Sequence, residues 1–360
     1  MEVRILSVVQ RLRSSRSRDR LAIWHMSHPG LRPGWTLLGL LLALGLALIA
    51  WAVQRRTGVS SAPVVMLVVA SAGAMVVAAL LGSMHRALVP LAIALAISYV
   101  AYEWRAELAA GPLSGPFGYR NAFGALLLQG AFAWLLAGLA LRRAVAIGFS
   151  FVPAAALGVL AVRSSAATAA GCALVAIAAL ALLGTRGARV AVILCGLAVG
   201  AVLAGTIWLG AGYEPGQPVT GIAARVADAG ITERRLALWH DALAIAAEHP
   251  TGIGHGRFGS TSPTALQDRD TIYAHNEFLE QGAELGWAGM ILTILLVAWV
   301  FLRLAITPHV DAVTAMSAVA LAGLAVHGSV DYVWHFPAVQ LAAAALVGTG
   351  LVPSNERSHR

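Results

Sequence analysis

The sequence predicts an all-α protein: a polytopic transmembrane helical bundle of about ten helices, with one large outer loop that contains an amphipathic helix. Three observations predict it. Hydrophobic residues make up 59% of the 360-residue chain and charged residues only 12%, with a mean hydropathy of +0.76, which is more apolar than any soluble core requires. Apolar runs long enough to cross a hydrocarbon layer recur along most of the chain. The 25 basic residues are all arginine and lie mainly at the ends of those runs, as membrane topology asks. The net charge of +8 therefore marks no nucleic-acid partner.

In chain order, residues 1–33 form a basic cytoplasmic leader. It carries seven arginines and no apolar run of signal-peptide type, so it suits a surface of anionic lipid. Spans are expected at about 35–53, 62–82, 87–102, 120–141, 144–161, 165–183 and 188–209, then at 284–303, 311–330 and 337–352. This divides the chain into seven N-terminal membrane helices over 34–209, an outer loop over 210–275, three C-terminal helices over 276–352, and a cytoplasmic tail over 353–360. The abundance of Gly and Ala predicts close helix packing. With both termini inside, His85/Arg86, Arg142/Arg143, Arg186/Arg189, Arg303 and Arg357/Arg360 all fall on the cytoplasmic side. Cys172 and Cys195 sit within apolar runs as small core residues, and no metal or cofactor site is indicated.

The loop over 210–275 is the one extramembrane stretch large enough to shape a site. Thr232 suits a helix N-cap, and Leu236, Trp239 and Leu243 recur at helical spacing until Pro250 stops the run. After it comes Gly252-Ile-Gly254-His-Gly256, read as a flexible connector; an anion cradle is the alternative, although no strand precedes it and no P-loop lysine follows. At the mouth of the next membrane helix lies Tyr273-Ala-His275-Asn276-Glu277, continuing through Glu280, Gln281 and Glu284. The three glutamates share one helical face. Acids in a first helical turn suit the helix dipole, but this gathering at a membrane surface also fits a polar cavity.

Several arginines stand on the outer side against the topology rule. Arg120 opens the fourth span, Arg163 ends the fifth, and Arg234 and Arg235 open the loop helix. Each alone can snorkel to water; as a set facing one cavity they match the bidentate geometry of a diphosphate. Arg55 and Arg56 read as ordinary surface charges, and His240, His249 and His255 as structural.

These residues together resemble the O-antigen ligase and polymerase superfamily of bacterial membrane glycosyltransferases. The resemblance rests on His275-Asn276 before the acid-rich helix mouth, Gly286-Trp-Ala-Gly289, and Arg235-Leu-Ala-Leu-Trp239 leading through Pro250 to Gly252-Ile-Gly254 and Phe258. Gly115-Pro-Phe-Gly-Tyr-Arg120-Asn121 and His327-Gly-Ser-Val-Asp331 agree with it. The resemblance implies a metal-independent enzyme of the inner membrane that needs no cofactor. Its donor is a polyprenyl (undecaprenyl) diphosphate-linked glycan taken from the periplasmic face. Its acceptor is a lipid A core sugar in a ligase, or another lipid-linked repeat in an O-antigen or exopolysaccharide polymerase. It also implies functional roles for His275, Arg235 and Arg163. The family pattern around the last reads Ser-Arg-Gly, whereas this chain has Arg163-Ser-Ser.

Glycosyl transfer from a diphosphate needs charge stabilised on the leaving group and a proton removed from the acceptor hydroxyl. Arg235, Arg163 and Arg120 are the candidates for the first task. Histidine ordinarily titrates near about 6.5, so His275 suits the second, with Glu277 either holding its imidazole or acting as the base itself. Arg234, Asn276 and Asp331 are expected to make further substrate contacts. A transporter of lipid-linked sugars is the alternative from another class, but it would favour internal repeats and midplane ion sites, and the ionisable residues here crowd one membrane face.

Overall fold

The computed structural model describes residues 33–110, 114–164, 184–228, 231–267, 271–307 and 309–352. It is all-helical over these residues. The first helices are α1 (Pro33–Thr57), α2 (Ala62–Met84), α3 (Leu88–Glu103), then, after a short α4 (Arg105–Ala110), α5 (Arg120–Leu141), α6 (Ala144–Ser164) and α7 (Gly184–Ala211). Next come α8 (Gly221–Asp228), α9 (Glu233–Glu248), and the single turns α10 (Phe258–Thr261) and α11 (Pro263–Leu266). The long α12 (Glu277–Ala305), α13 (Ala312–Gly328) and α14 (Pro337–Gly350) close the chain. Six helices, α1, α2, α5, α6, α7 and α12, are long and apolar enough to cross a membrane, and α3, α13 and α14 are shorter apolar helices. The expected spans coincide with these nine, and the tenth, 165–183, lies outside the described residues.

Helix α5 is apolar all round, the pattern of a helix with no solvent or lipid face, and it occupies the centre. Phe123, Leu127, Phe132 and Leu136 are fully buried against α3, α6, α13 and α14. A second layer sits beside it: α12 packs on α1 and α7, while α9 packs on both α7 and α12. Helix α9 starts as the sequence predicts, with the Thr232 side chain accepting from the Arg235 amide. Leu236 and Trp239 are fully buried, with Leu243 packed against their cluster. The helix therefore lies in the bundle's end wall, against α7 and α12. The described residues of the stretch 210–275 form four helices where one was expected.

The larger correction concerns α12. The helix begins at Glu277, as the acid-rich first turn predicts, but it is not continuous: it breaks at Gly286, whose φ of 77 and ψ of 179 are not helical. The break strands backbone groups that a continuous helix would pair. The glycine turn supplies their partners: Ile253 N donates to Ala283 O and Gly254 N to Glu284 O, each at 3.0 Å, and Trp287 N donates to Pro250 O at 3.1 Å. A Cβ on Gly252 would strike the Glu284 carbonyl, and one on Gly286 the Pro250 carbonyl. Both glycines also have positive φ, so both positions require the missing side chain. The turn is thus a fitted part of the helix break and not a flexible connector. Arg56 also departs from expectation. Its guanidinium donates to the Thr251 carbonyl at 2.7 Å and to that of Gly252, tying the end of α1 to the same turn.

Polar contacts concentrate at the two ends of the bundle. At one end Arg86 pairs with Asp311 at 2.5 Å and Arg189 reaches the Thr307 carbonyl. At the other stand the His275 loop, the start of α5 and the α13–α14 connector.

Candidate active site

Asp331 lies just past the end of α13, in a connector too short to leave the bundle end. Its side chain has no solvent exposure. A carboxylate buried in this way needs hydrogen-bonded partners, and three separate parts of the chain supply them. Oδ1 accepts from the Tyr119 hydroxyl at 2.6 Å, from His275 Nδ1 at 3.1 Å and from the Tyr332 amide at 2.8 Å. Oδ2 accepts from Arg235 Nη2 at 3.1 Å and from Asn121 Nδ2. Burial alone would raise the carboxyl, but the hydrogen bond from His275 and the charge of Arg235 outweigh it and hold Asp331 well below the usual carboxylate range. Tyr119, buried beside that charge, is pushed far above the ordinary phenol range, so it stays a donor.

His275 is held from both sides. Its φ of 50 is a left-handed conformation, uncommon for a residue with a side chain and frequent at functional positions. One contact on its own backbone and one on its neighbour fix it: Trp239 Nε1 donates to the His275 carbonyl at 3.1 Å, and the Ala274 amide donates to Glu280 at 2.8 Å. An ionised carboxylate at Nδ1 requires the proton there, which leaves Nε2 of the neutral ring as a free acceptor. The side chain keeps 18% of its surface open. The Tyr332 ring meets the imidazole edge-on at 4.7 Å and is itself stacked between Tyr119 and Tyr273.

The structure brings together His275, Arg235 and Asp331 among the sequence-expected residues and assigns several others differently. Glu277 does not hold the His275 imidazole; Asp331 does. The Glu277 carboxylate is buried, accepts the Trp334 amide at 2.5 Å and faces His335 at 3.7 Å, so it points into a second cluster. Asn276 is fully buried and cannot touch a substrate. Its Oδ1 caps α12 through the amides of Phe278 and Leu279, and its Nδ2 donates to Thr206 and the Ser329 carbonyl. Asp331 itself is enclosed by its partners, so it organises the site without meeting substrate. Arg120, Arg163 and Arg234 are exposed and lie outside the hydrogen-bonded group around Asp331.

Two features escaped the sequence reading. Tyr119 and Asn121 flank Arg120, and it is they that reach Asp331. His335 sits 2.8 Å from Glu280 and packs tilted against the Tyr273 ring, centroids 4.1 Å apart. Burial would lower its pKa, but Glu277 and Glu280 overcome that and push it up to about 10. Glu284 is paired separately, with His255 at 3.0 Å and the Phe258 amide. The three glutamates on one face thus divide between two histidines. Among the described residues no group of His, Cys, Asp and Glu has the arrangement of a metal site.

No curated protein matches the chain. A family model described as O-antigen ligase matches residues 149–294, a segment that includes Arg235, the glycine turn, His275 and the broken start of α12. The His275 and Arg235 region therefore carries the pattern of the O-antigen ligase superfamily.

Proposed function

We propose that this chain is a membrane glycosyltransferase that moves a glycan from a polyprenyl diphosphate to an acceptor sugar at the periplasmic face of the inner membrane. The coarser part, a membrane role in O-antigen or polysaccharide assembly, is supported by the family match. The observation that carries the finer part is the convergence of His275 and Arg235 on one buried aspartate. That arrangement fixes a proton acceptor and a guanidinium relative to each other.

The chemistry follows from the two groups. The acceptor hydroxyl attacks the anomeric carbon, its proton passes to His275 Nε2, and the bond from that carbon to the diphosphate oxygen breaks. Asp331 stabilises the imidazolium that forms, as an ionised carboxylate beside it must. Arg235 spends one amino group on Asp331 and keeps part of its fork open, so it can donate to the diphosphate as negative charge builds there. Arg120 and Arg163, exposed at helix ends, would add long-range attraction for the anionic donor. The same reading sets the orientation: the end holding Arg86, Arg142 and Arg189 faces the cytoplasm by the positive-inside rule, and both termini lie inside.

The test is transfer by the purified protein from a polyprenyl diphosphate-linked glycan. A lipid A core acceptor and a second lipid-linked repeat are offered in separate reactions. Product on the first makes the chain a ligase and product on the second a polymerase. No consumption of donor with either acceptor would overturn the proposal. Labelling of a cysteine at Gln217 from the cytoplasm alone would overturn the orientation.

A further inference from the structure

Among the described residues the bundle is not closed between the α1/α12 pair and the α2/α14 pair. Two cavities, of about 350 Å³ and about 200 Å³, follow one another along this seam. They share Val68, Leu296, Trp334 and Gln340 as lining. All four helices agree on the direction. The upper cavity takes Pro63 of α2 and Leu341 of α14, near the site end, and the lower takes Val76 of α2 and Val347 of α14, towards the other end. From Pro63 to Val76 a helix rises about 20 Å, against a hydrocarbon thickness of about 30 Å. The walls are almost wholly apolar, so the shape is that of a slot for an alkyl chain.

The top of the slot has a different character. Glu277, Gln281, His255 and His335 line it, and Gln340 lies at the junction. The titratable members are already matched: His335 faces both Glu277 and Glu280, these carboxylates accept the Trp334 and Ala274 amides, and His255 faces Glu284 at 3.0 Å. What is left over is neutral. Lower in the slot the Ser71 hydroxyl oxygen is buried with no hydrogen-bond partner, and at the upper cavity so are the Oε1 atoms of Gln281 and Gln340. Buried carbonyls of this kind are normally paired, and two of them on one cavity ask for a ligand that donates. No arginine or lysine lines either cavity among the described residues, so a phosphate head finds no free cation there. An ammonium head would find no unmatched carboxylate. A hydroxyl suits both amides and can donate or accept in either amide orientation.

We propose that this seam binds a membrane amphiphile with one alkyl chain in the slot and a neutral polyhydroxyl head at Gln281 and Gln340. The site shares no residue with the His275, Arg235 and Asp331 group, and its binding does not depend on the transfer reaction.

The experiment uses the full chain in nanodiscs of choline phospholipid, whose heads donate no hydrogen bonds. Binding of dodecyl glucoside, dodecyl phosphate and dodecylammonium is compared by native mass spectrometry. Dodecyl glucoside is expected to bind saturably and at least about tenfold more tightly than the other two, the discrimination expected where buried acceptors go unmet by the wrong head. In Gln281→Leu/Gln340→Leu the three heads should bind equally. Equal binding in the wild type would mean ordinary boundary lipid and overturn the proposal, as would a preference for phosphate or ammonium. A folded double variant that kept the preference would overturn it too. Should that variant not fold, a glucoside with a photoreactive alkyl chain decides on the wild type. Adducts on Pro63–Val76 of α2 and on α14 support the site, and adducts elsewhere refute it.

Discussion

Helix α13 has an aspartate at each end, and the two behave differently. Asp311 precedes the helix as its N-cap, accepting from the Thr314 amide and hydroxyl at 3.0 Å each, and Arg86 grips it through two nitrogens. A carboxylate there is favoured by local helix chemistry alone, since the N-terminus offers free amides and a positive dipole end. Asp331 stands past the opposite end, where the dipole disfavours a negative charge. It is nevertheless the more buried of the two. Only donors brought from α5, α9 and the His275 loop make that position tenable. A charge placed with its local environment is a structural part; one placed against it and fully enclosed is kept for what it organises.

The comparison is sharpest for substitution of the two aspartates. Asp331→Asn should cost transfer activity at least about a hundredfold, because the imidazole loses the charge that fixes its tautomer and stabilises its protonated form. Asp311→Asn keeps the cap and should leave turnover within about twofold, with a stability loss of about 1 kcal/mol from the weakened Arg86 pair. Turnover assays and thermal unfolding of both variants check this. If Asp311→Asn proved the more damaging to turnover, the division between the two ends would be wrong.

His275→Ala should reduce transfer about a hundredfold or more while the protein stays folded in the membrane, since it removes the proton acceptor without touching α12. Wild-type turnover in this variant would remove His275 from the chemistry.

Arg235 is expected to serve the diphosphate and not the sugar. Arg235→Lys keeps the charge but loses the planar fork that lets one side chain hold Asp331 and reach a phosphate together, so a loss of about tenfold should remain. Arg235→Ala should be worse. Rates with different glycans on the same lipid diphosphate make the check. A defect that vanished for some glycans would show Arg235 reading sugar.

The smallest effect is expected from the second histidine cluster. His335 is raised to about 10 in the folded protein, above the ordinary histidine value of about 6.5. A group raised on folding stabilises fully below its unfolded pKa. That contribution declines as pH rises from about 6.5 and is gone above about 10. His335→Gln should therefore flatten the alkaline limb of the stability profile, measured by thermal unfolding between pH 6 and 10, and leave the acid limb alone.

Much of the architecture was legible in the chain. A membrane helix is specified by its own length and apolarity, because every backbone group must be paired within it. Apolar helices accordingly stand at nine of the ten expected spans, six of them long and apolar enough to cross a membrane, and the tenth falls outside the described residues. The start of α9 was equally local, since Thr232 caps the helix through an amide three residues away. His275, Arg235 and Asp331 were picked out singly by residue type and motif.

Their grouping was not legible. Asp331 lies 56 residues from His275 and 212 from Tyr119, and no periodicity links such distances. The same limit explains the errors. Glu277 is near His275 in sequence, but Asn276 caps the helix between them and turns the carboxylate towards His335. Arg56 looked solitary because its partners, two carbonyls of the glycine turn, are 195 and 196 residues away. Gly286 read as a motif residue, yet whether it bends or breaks a helix depends on the turn from Pro250 to Gly254 being there to pair the freed backbone. Local chemistry thus set the helices, their ends and their caps. Tertiary packing alone decided which buried charge meets which donor, because the cost of burying a charge is settled by whatever the fold brings beside it.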